Sequence, residues 1–279
     1  MFRTRLISGI VLVVLAILLV TKGGVLLYCV TAAISLIGMF ELYRVMGIEK
    51  KAPGIAGYLA CLGYYGLVWF EGQHYVTLLA IAALMVLMSI YVFTFPKYGT
   101  EQITVAFFGI FYLGIMLSYL YQVRAMADGK YLVWLIFLSS WGCDTCAYCV
   151  GMLFGKHRLA PVLSPKKSIE GAVGGVVGSA LLGCIYAYFF GAKMDEVSNP
   201  MVACAVACAI AAVISQIGDL AASAIKRNHN VKDYGNLIPG HGGVLDRFDS
   251  MIFTAPAIYF ALTFVRYNGS MYENTETGE

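Results

Sequence analysis

The chain of 279 residues is 60% hydrophobic and only 13% charged, with a formal net charge of +3 and a mean hydropathy of +0.77. Soluble domains carry about 25% charged residues, so this composition excludes a soluble α/β enzyme. It is typical of a chain that lies mostly within a bilayer.

Nine apolar runs are candidate membrane helices, because about 17–25 residues at 1.5 Å per residue cross the hydrocarbon core. The first follows Arg3 and Arg5 but has no small-x-small cleavage site after it, which favours an anchor over a signal peptide. We therefore predict an all-α integral membrane protein, one polytopic domain of residues 1–279. The nine runs are 6–20, 24–42, 54–70, 75–95, 103–121, 131–153, 171–190, 201–225 and 251–267.

The distribution of lysine and arginine predicts the orientation, because these residues accumulate on the cytoplasmic side. We expect a cytoplasmic N-terminus, a C-terminus outside, and cytoplasmic polar loops at 154–170 and 226–250. The expected location is the plasma (inner) membrane of a bacterium, with the active site facing the cytoplasm. The cations left on the outer side are few and scattered: Lys22, Arg124, Lys130, Lys193 and Arg266.

Polar residues divide the chain into two functional parts. Residues 1–126 have connections poor in polar residues and are predicted to be mainly scaffold helices. Residues 127–279 carry nearly all the intramembrane charge and are predicted to be the catalytic helices and loops. The eight cysteines all lie in apolar runs, which favours packing over a disulfide framework.

Two acids stand out because ionisable groups inside a membrane helix are costly and face the protein interior or a wet cavity. Asp144 and Asp219 both fall in the cytoplasmic half of their helices. Asp219, Ser223 and Lys226 are spaced to share one helix face, with Arg227 beside it. Carboxylates of this kind suit Mg²⁺, together with substrate phosphates. The alternative is that Asp219 pairs with Lys226 or Arg227 merely to neutralise charge.

The loop 154–170 ends in a basic segment before the seventh predicted helix. Ser168 is predicted to cap that helix, and Lys166 and Lys167 beside it favour triphosphate binding. A basic loop resting on anionic lipid is an equally open interpretation. The glycines that follow are predicted to allow close helix packing, since no strand precedes them as in a nucleotide loop: Gly171, Gly174, Gly175, Gly178 and Gly183.

A dense polar block spans 223–249 between two apolar runs. Its glycine-rich segment 239–243 lets backbone N–H groups approach a phosphate, although a plain tight turn would use the same residues. His241 is predicted to donate a hydrogen bond to phosphate or to anchor the turn. Asp246 and Asp249 share a face if helical, and Asp249 is either a further metal ligand or a helix cap.

This block resembles the signature of the phosphatidate cytidylyltransferases, also called CDP-diacylglycerol synthases. Asp144 and the segment 164–171 also resemble that family. The resemblance implies that CTP and phosphatidic acid react with Mg²⁺ to give CDP-diacylglycerol and pyrophosphate, in phospholipid biosynthesis. The matching residues are Ser223, Lys226, Arg227, Lys232, Asp233, Pro239, His241, Gly242, Gly243, Asp246, Arg247 and Asp249.

Residue roles follow as hypotheses. Asp219 and Asp246 hold Mg²⁺ at the α-phosphate, with Asp144 as a further ligand. Lys226, Arg227 and Arg247 hold lipid phosphate or pyrophosphate. Partners are the two substrates and the bilayer, without nucleic acid, and the glycine-lined helix is compatible with a homodimer. Substrate binding is assigned to Lys166, Lys167, Ser168, Ser223, Lys232, Asp233, His241, Gly242 and Gly243.

Three alternatives stay open at this point. A CTP-dependent lipid or polyprenol kinase would transfer the γ-phosphoryl group to an alcohol and would need a general base. A synthase acting on an archaeal ether lipid would use the same chemistry on another acceptor. An ion-coupled transporter would use Asp144 and Asp219 as coupling acids, but transporters often contain repeats, and no convincing repeat is present.

Overall fold

The computed structural model describes residues 2–238 and 242–276, and within them the chain is almost entirely helical. Nine helical segments follow one another, each coinciding with one of the predicted apolar runs. Their bounds are α1 Phe2–Lys22, α2 Gly24–Val45, α3 Ala52–Trp69, α4 Gln73–Phe93, α5 Thr100–Ala125, α6 Gly129–Phe154, α7 Ile169–Lys193, α8 Pro200–Asn228 and α9 Leu245–Glu276.

Seven helices among the described residues are long and apolar enough to cross a membrane. The other two are α1 and α3; α1 contributes a shorter apolar stretch, Gly9–Lys22. In α3 the apolar character is diluted by tyrosines such as Tyr58, Tyr64 and Tyr65. The prediction of an all-α integral membrane protein is confirmed. The count of nine spans and the sides of the two termini stay predictions.

Two helices contain a wider turn. The segment Ile110–Ile115 of α5 and the segment Leu138–Gly142 of α6 are π-helical. Insertions of this kind are frequent at functional sites because they redirect side chains on one face. The second ends at Gly142, two positions before Asp144, which lies in the first turn of the regular α-helix Cys143–Phe154.

The contacts divide the chain into two compact units whose sequences interleave. The first unit holds 1–19, 25–118 and 228–248, and the second holds 20–24, 119–227 and 249–279. The functional boundary expected near residue 126 is a different division, and it stays a prediction.

Hydrogen bonds between helices hold the first unit together. Tyr43 donates its hydroxyl to the carbonyl of Ala106 at 2.6 Å. Ser35 is fully buried and donates to the carbonyl of Leu113 at 2.8 Å, and it also hydrogen-bonds the Tyr65 hydroxyl. In an apolar environment a buried hydroxyl needs such a partner.

Close packing of α6 against α7 is the main feature of the second unit, and it confirms the predicted role of the glycines. A Cβ on Gly175 would lie 2.9 Å from the Cys143 sulfur and 3.0 Å from its carbonyl oxygen. Gly183 makes the equivalent approach to α8, where a Cβ would lie 2.7 Å from the Cys204 carbonyl oxygen. Small residues therefore set the distance between these helices.

Substitution of Gly175 with alanine is expected to destabilise the protein by about 1–3 kcal/mol, because backbone atoms of α6 block the added methyl group. Thermal unfolding in detergent measures the change. Gly66→Ala in α3 is the matched control, since nothing lies within 4 Å of the Cβ it would add. A Gly175→Ala protein as stable as the Gly66→Ala protein would contradict this packing.

A β-hairpin replaces the polar loop predicted at 154–170. Strand β1, Arg158–Ala160, pairs antiparallel with β2, Ser164–Ser168, and β2 leads directly into α7. The expectation that no strand precedes α7 was therefore wrong. The strands are short and mostly half-buried, and their sequence shows no apolar alternation from which they could be predicted.

The start of α7 is tied to the hairpin. Ser168 accepts a hydrogen bond from the Gly171 N–H at 3.1 Å, which confirms its predicted role as the helix cap. Glu170 accepts the N–H groups of Lys156 and His157, and its carboxylate lies 2.6 Å from the His157 ring nitrogen Nδ1. These hydrogen bonds fix the hairpin against the N-terminus of α7.

Candidate active site

A cavity of about 510 Å³ lies within the second unit, between α6, the hairpin, α7 and α8. One part of its lining is apolar, with Tyr148, Met152 and Leu159. The other part carries the polar groups, most of which the sequence had singled out: Asp144, Lys166, Lys167, Ser168, Gln216 and Asp219. A cavity lined by both apolar and charged side chains suits an amphiphilic, anionic ligand.

Lys167 and Asp219, which both line this cavity, form an ion pair. Both side chains are about a quarter exposed, so the pair is accessible to a ligand as well as to each other. The lysine comes from strand β2 and the aspartate from α8, 52 positions further along the chain. Helical spacing directed attention to Lys226 and Arg227 as partners of Asp219, and it could not reveal a partner on the hairpin.

Two further acids interact electrostatically with Asp219. The charge of Asp219 repels the Asp144 carboxylate, and the charge of Lys167 attracts it. The Asp249 carboxylate is repelled by the charges of Asp219 and Asp144 and attracted by that of Lys226. The second unit thus gathers three carboxylates whose mutual repulsion a cation would relieve.

Asp249 lies beyond the first turn of α9, which begins at Leu245. It is therefore not the helix cap that the sequence had offered as an alternative. Its Oδ1 accepts the N–H of the next residue, Ser250, at 2.8 Å.

The donor set is compatible with Mg²⁺ in its chemistry. In the described part of the chain, no group of three or more histidine, cysteine, aspartate or glutamate side chains is arranged to hold a metal alone. Mg²⁺ usually needs only one or two carboxylates, with substrate phosphates and water as the other ligands. Asp144 and Asp219, both lining the cavity, meet that smaller requirement.

The first unit contains a second group of acids, around the start of α9. Asp246 is 9% exposed, and its Oδ2 accepts the N–H groups of Tyr234 at 2.8 Å and Gly243 at 3.0 Å. Glu41 of α2 accepts the N–H groups of Val244 at 3.0 Å and Leu245 at 2.8 Å. Both carboxylates therefore fix the end of the polar block.

Backbone conformation and close contacts explain why glycine stands at positions 242 and 243 of the polar block. Gly242 has a φ of +87°, in the left-handed region that favours glycine. A Cβ on Gly243 would lie 2.5 Å from the Glu41 carboxylate. The N–H groups of 243, 244 and 245 bind carboxylates here. Phosphate binding by Gly242 and Gly243 stays a prediction, and His241 lies outside the described residues.

The remaining candidates lie at the ends of these helices. Ser223, Lys226 and Arg227 occupy the last two turns of α8, in the second unit. Lys232, Asp233 and Arg247 are exposed residues of the first unit. Their roles in binding stay predictions.

Sequence reasoning missed Glu41 and Gln216. Glu41 had a usable signal, since it is an acid within a predicted membrane run. Gln216 had none: its Nε2 donates to the Ala172 carbonyl at 3.1 Å, a contact across 44 positions.

Comparisons with known proteins agree over nearly the whole chain. The profile of the Cytidylyltransferase family matches residues 3–265. The phosphatidate cytidylyltransferase of Staphylococcus haemolyticus (strain JCSC1435) is 31% identical over 265 residues, covering 93% of this chain and 98% of the relative. Those of Staphylococcus saprophyticus and Bacillus subtilis (strain 168) are 30% and 29% identical over 267 residues, covering 93% of this chain and 98% and 97% of the relatives.

Proposed function

Because the chain belongs to the cytidylyltransferase family, we infer that it is a membrane nucleotidyltransferase that converts CTP and phosphatidate to CDP-diacylglycerol and pyrophosphate. The observation that carries this conclusion is the extent of the match, which covers 93% of the chain and almost the full length of each relative. The matched region includes the cavity and the polar block together.

The chemistry is the attack of a phosphatidate oxygen on the α-phosphorus of CTP. A new P–O–P bond forms, and the bond to the α,β-bridging oxygen breaks, so that pyrophosphate leaves with the electron pair. A phosphate monoester is already anionic near neutral pH, and little general-base assistance is needed. The difficulty is to bring two polyanions together, so charge neutralisation and alignment are the tasks of the site.

The cavity of the second unit supplies groups for these tasks. Lys166 and Lys167 are its cations, and Ser168 stands between them and the start of α7. These three residues bind the triphosphate. Tyr148 and Met152 also line the cavity, and in this proposal they contact the lipid part of the acceptor.

Asp144 and Asp219 would hold Mg²⁺ in this cavity, with Asp249 as a further candidate. A bound Mg²⁺ would neutralise phosphate charge and stabilise the leaving pyrophosphate. Asp246 keeps the metal role predicted from the sequence as a proposal, beside its observed role in the turn. Lys226, Arg227 and Arg247 bind lipid phosphate or pyrophosphate in this proposal.

The enzyme works in the inner membrane with its site facing the cytoplasm, where CTP is found. Support comes from the cations of the polar loops and from the bacterial relatives. A homodimer stays a proposal from the sequence, because the glycines of α7 that suggested it pack against α6 and α8 of the same chain.

The test is an incubation of the purified protein with phosphatidate, Mg²⁺ and CTP labelled differently at the α- and γ-phosphates. We expect the α-label in the lipid fraction and the γ-label in pyrophosphate. The γ-label in lipid, with an alcohol as acceptor, would instead identify a kinase. Unlabelled lipid from folded protein with either acceptor would contradict the proposed reaction.

A further inference from the structure

Glu41 is a buried acid of the first unit that accepts hydrogen bonds from the backbone at the start of α9. Its side chain belongs to α2, a candidate membrane span, and the residue is 3% exposed. Burying a carboxylate is costly unless hydrogen bonds compensate. Here its two oxygens accept one N–H each, from Val244 and Leu245. A negative charge at the start of α9 is also favoured by the helix dipole.

The surrounding backbone leaves space for this carboxylate. A Cβ on Gly235 would lie 2.3 Å from Oε1, and a Cβ on Gly243 would lie 2.5 Å from Oε2. One helical turn beyond Glu41, Arg44 donates to the carbonyl of Tyr234 at 2.6 Å. Hydrogen bonds of Glu41 and Arg44 thus connect helix α2 to the polar block at two places.

We propose that Glu41 is a positioning residue for CDP-diacylglycerol formation, acting through the start of α9. The proposal rests on the proposed function. Asp246 and Arg247, both candidates for the reaction, occupy the first turn of that helix. Asp246 is also bound to the Gly243 N–H, the neighbour of the two groups that Glu41 accepts. A shift of this turn would displace both side chains.

The change Glu41→Gln keeps the shape of the side chain but turns one acceptor into a donor that faces a backbone N–H. We expect kcat to fall about 10- to 100-fold, because misplacement of reacting groups by about 1 Å can cost a factor of that order. We expect KM for CTP to change less than kcat. The measurement is steady-state transfer of the α-label to lipid, beside the unfolding temperature of each protein.

Ser35→Ala is the matched control. Ser35 is a fully buried polar residue of the same helix, but it contacts Leu113 and Tyr65 and not the polar block. It should lower the unfolding temperature and leave kcat per folded enzyme unchanged. The proposal is overturned if Glu41→Gln behaves in the same way.

A double-mutant cycle separates positioning from a general loss of structure. Gly235 has no assigned role in binding and no positive φ, so its backbone tolerates alanine, and Gly235→Ala should act by displacing the Glu41 carboxylate. We expect a kcat loss of about 10-fold or more in the wild type and less than about 3-fold in a Glu41→Ala background. Losses that multiply independently would overturn the proposal. A wild-type enzyme without label transfer would instead refute the proposed function.

Discussion

Replacement of Asp219 with asparagine is expected to lower kcat for CDP-diacylglycerol formation by about 10²–10³-fold, the loss seen when one electrostatic contact to a transition state is removed. The variant keeps the size of the side chain and removes its charge. Asp219 lines the cavity, pairs with Lys167 and interacts with two other acids. Initial rates measured over a range of Mg²⁺ concentrations give the effect.

The Mg²⁺ dependence makes this result specific. If Asp219 is a ligand, the variant should need more Mg²⁺ for half-maximal rate. Asp195→Asn is the control, since it neutralises an exposed acid of the same unit. If Asp219→Asn and Asp246→Asn both kept near-wild-type turnover at limiting Mg²⁺, their assignment as metal ligands would be wrong.

Replacement of Lys167 with methionine is expected to lower kcat/KM for CTP by about 10- to 100-fold, because a cation beside the triphosphate is lost. Methionine keeps most of the apolar stem. Lys167→Arg should recover part of the activity, since it restores the charge but not the compact ammonium group. Lys193→Met is the control, an exposed lysine of the same unit that lies over the Tyr131 ring.

The same variant decides between the two interpretations of the basic hairpin. If the hairpin binds triphosphate, Lys167→Met should alter the kinetics of CTP use. The reconstituted variant should then depend on the content of a non-substrate anionic lipid in the nanodisc as the wild type does. A changed dependence on that lipid, together with unchanged CTP kinetics, would favour contact with the membrane surface instead.

Much of the fold could be predicted because the bilayer imposes simple rules on sequence. Each apolar run became a helix, since backbone groups in lipid must find partners within their own segment. The glycines of α7 indicated close packing for a similarly local reason. The hairpin could not be predicted, since its pairing of Arg158 with Ser168 leaves no periodic pattern in so short a segment.

The candidate site was predictable in its residue types but not in its pairings. Asp144, Asp219 and Lys167 could each be singled out, because charge near or within a membrane span is exceptional. Their partners depend on tertiary structure, as the contact of Lys167 with Asp219 illustrates. Glu41 is the opposite case: its position was conspicuous, but only the structure shows the N–H groups that it binds.

The most direct test of the account is a double-mutant cycle of Asp219→Asn and Lys167→Met, read out by transfer of the α-label from CTP to lipid. If both residues act on the substrates, the double variant will be at least as slow as the slower single variant. If the pair serves only to neutralise charge, removal of both charges will restore turnover toward the wild-type rate, and that recovery would contradict the account.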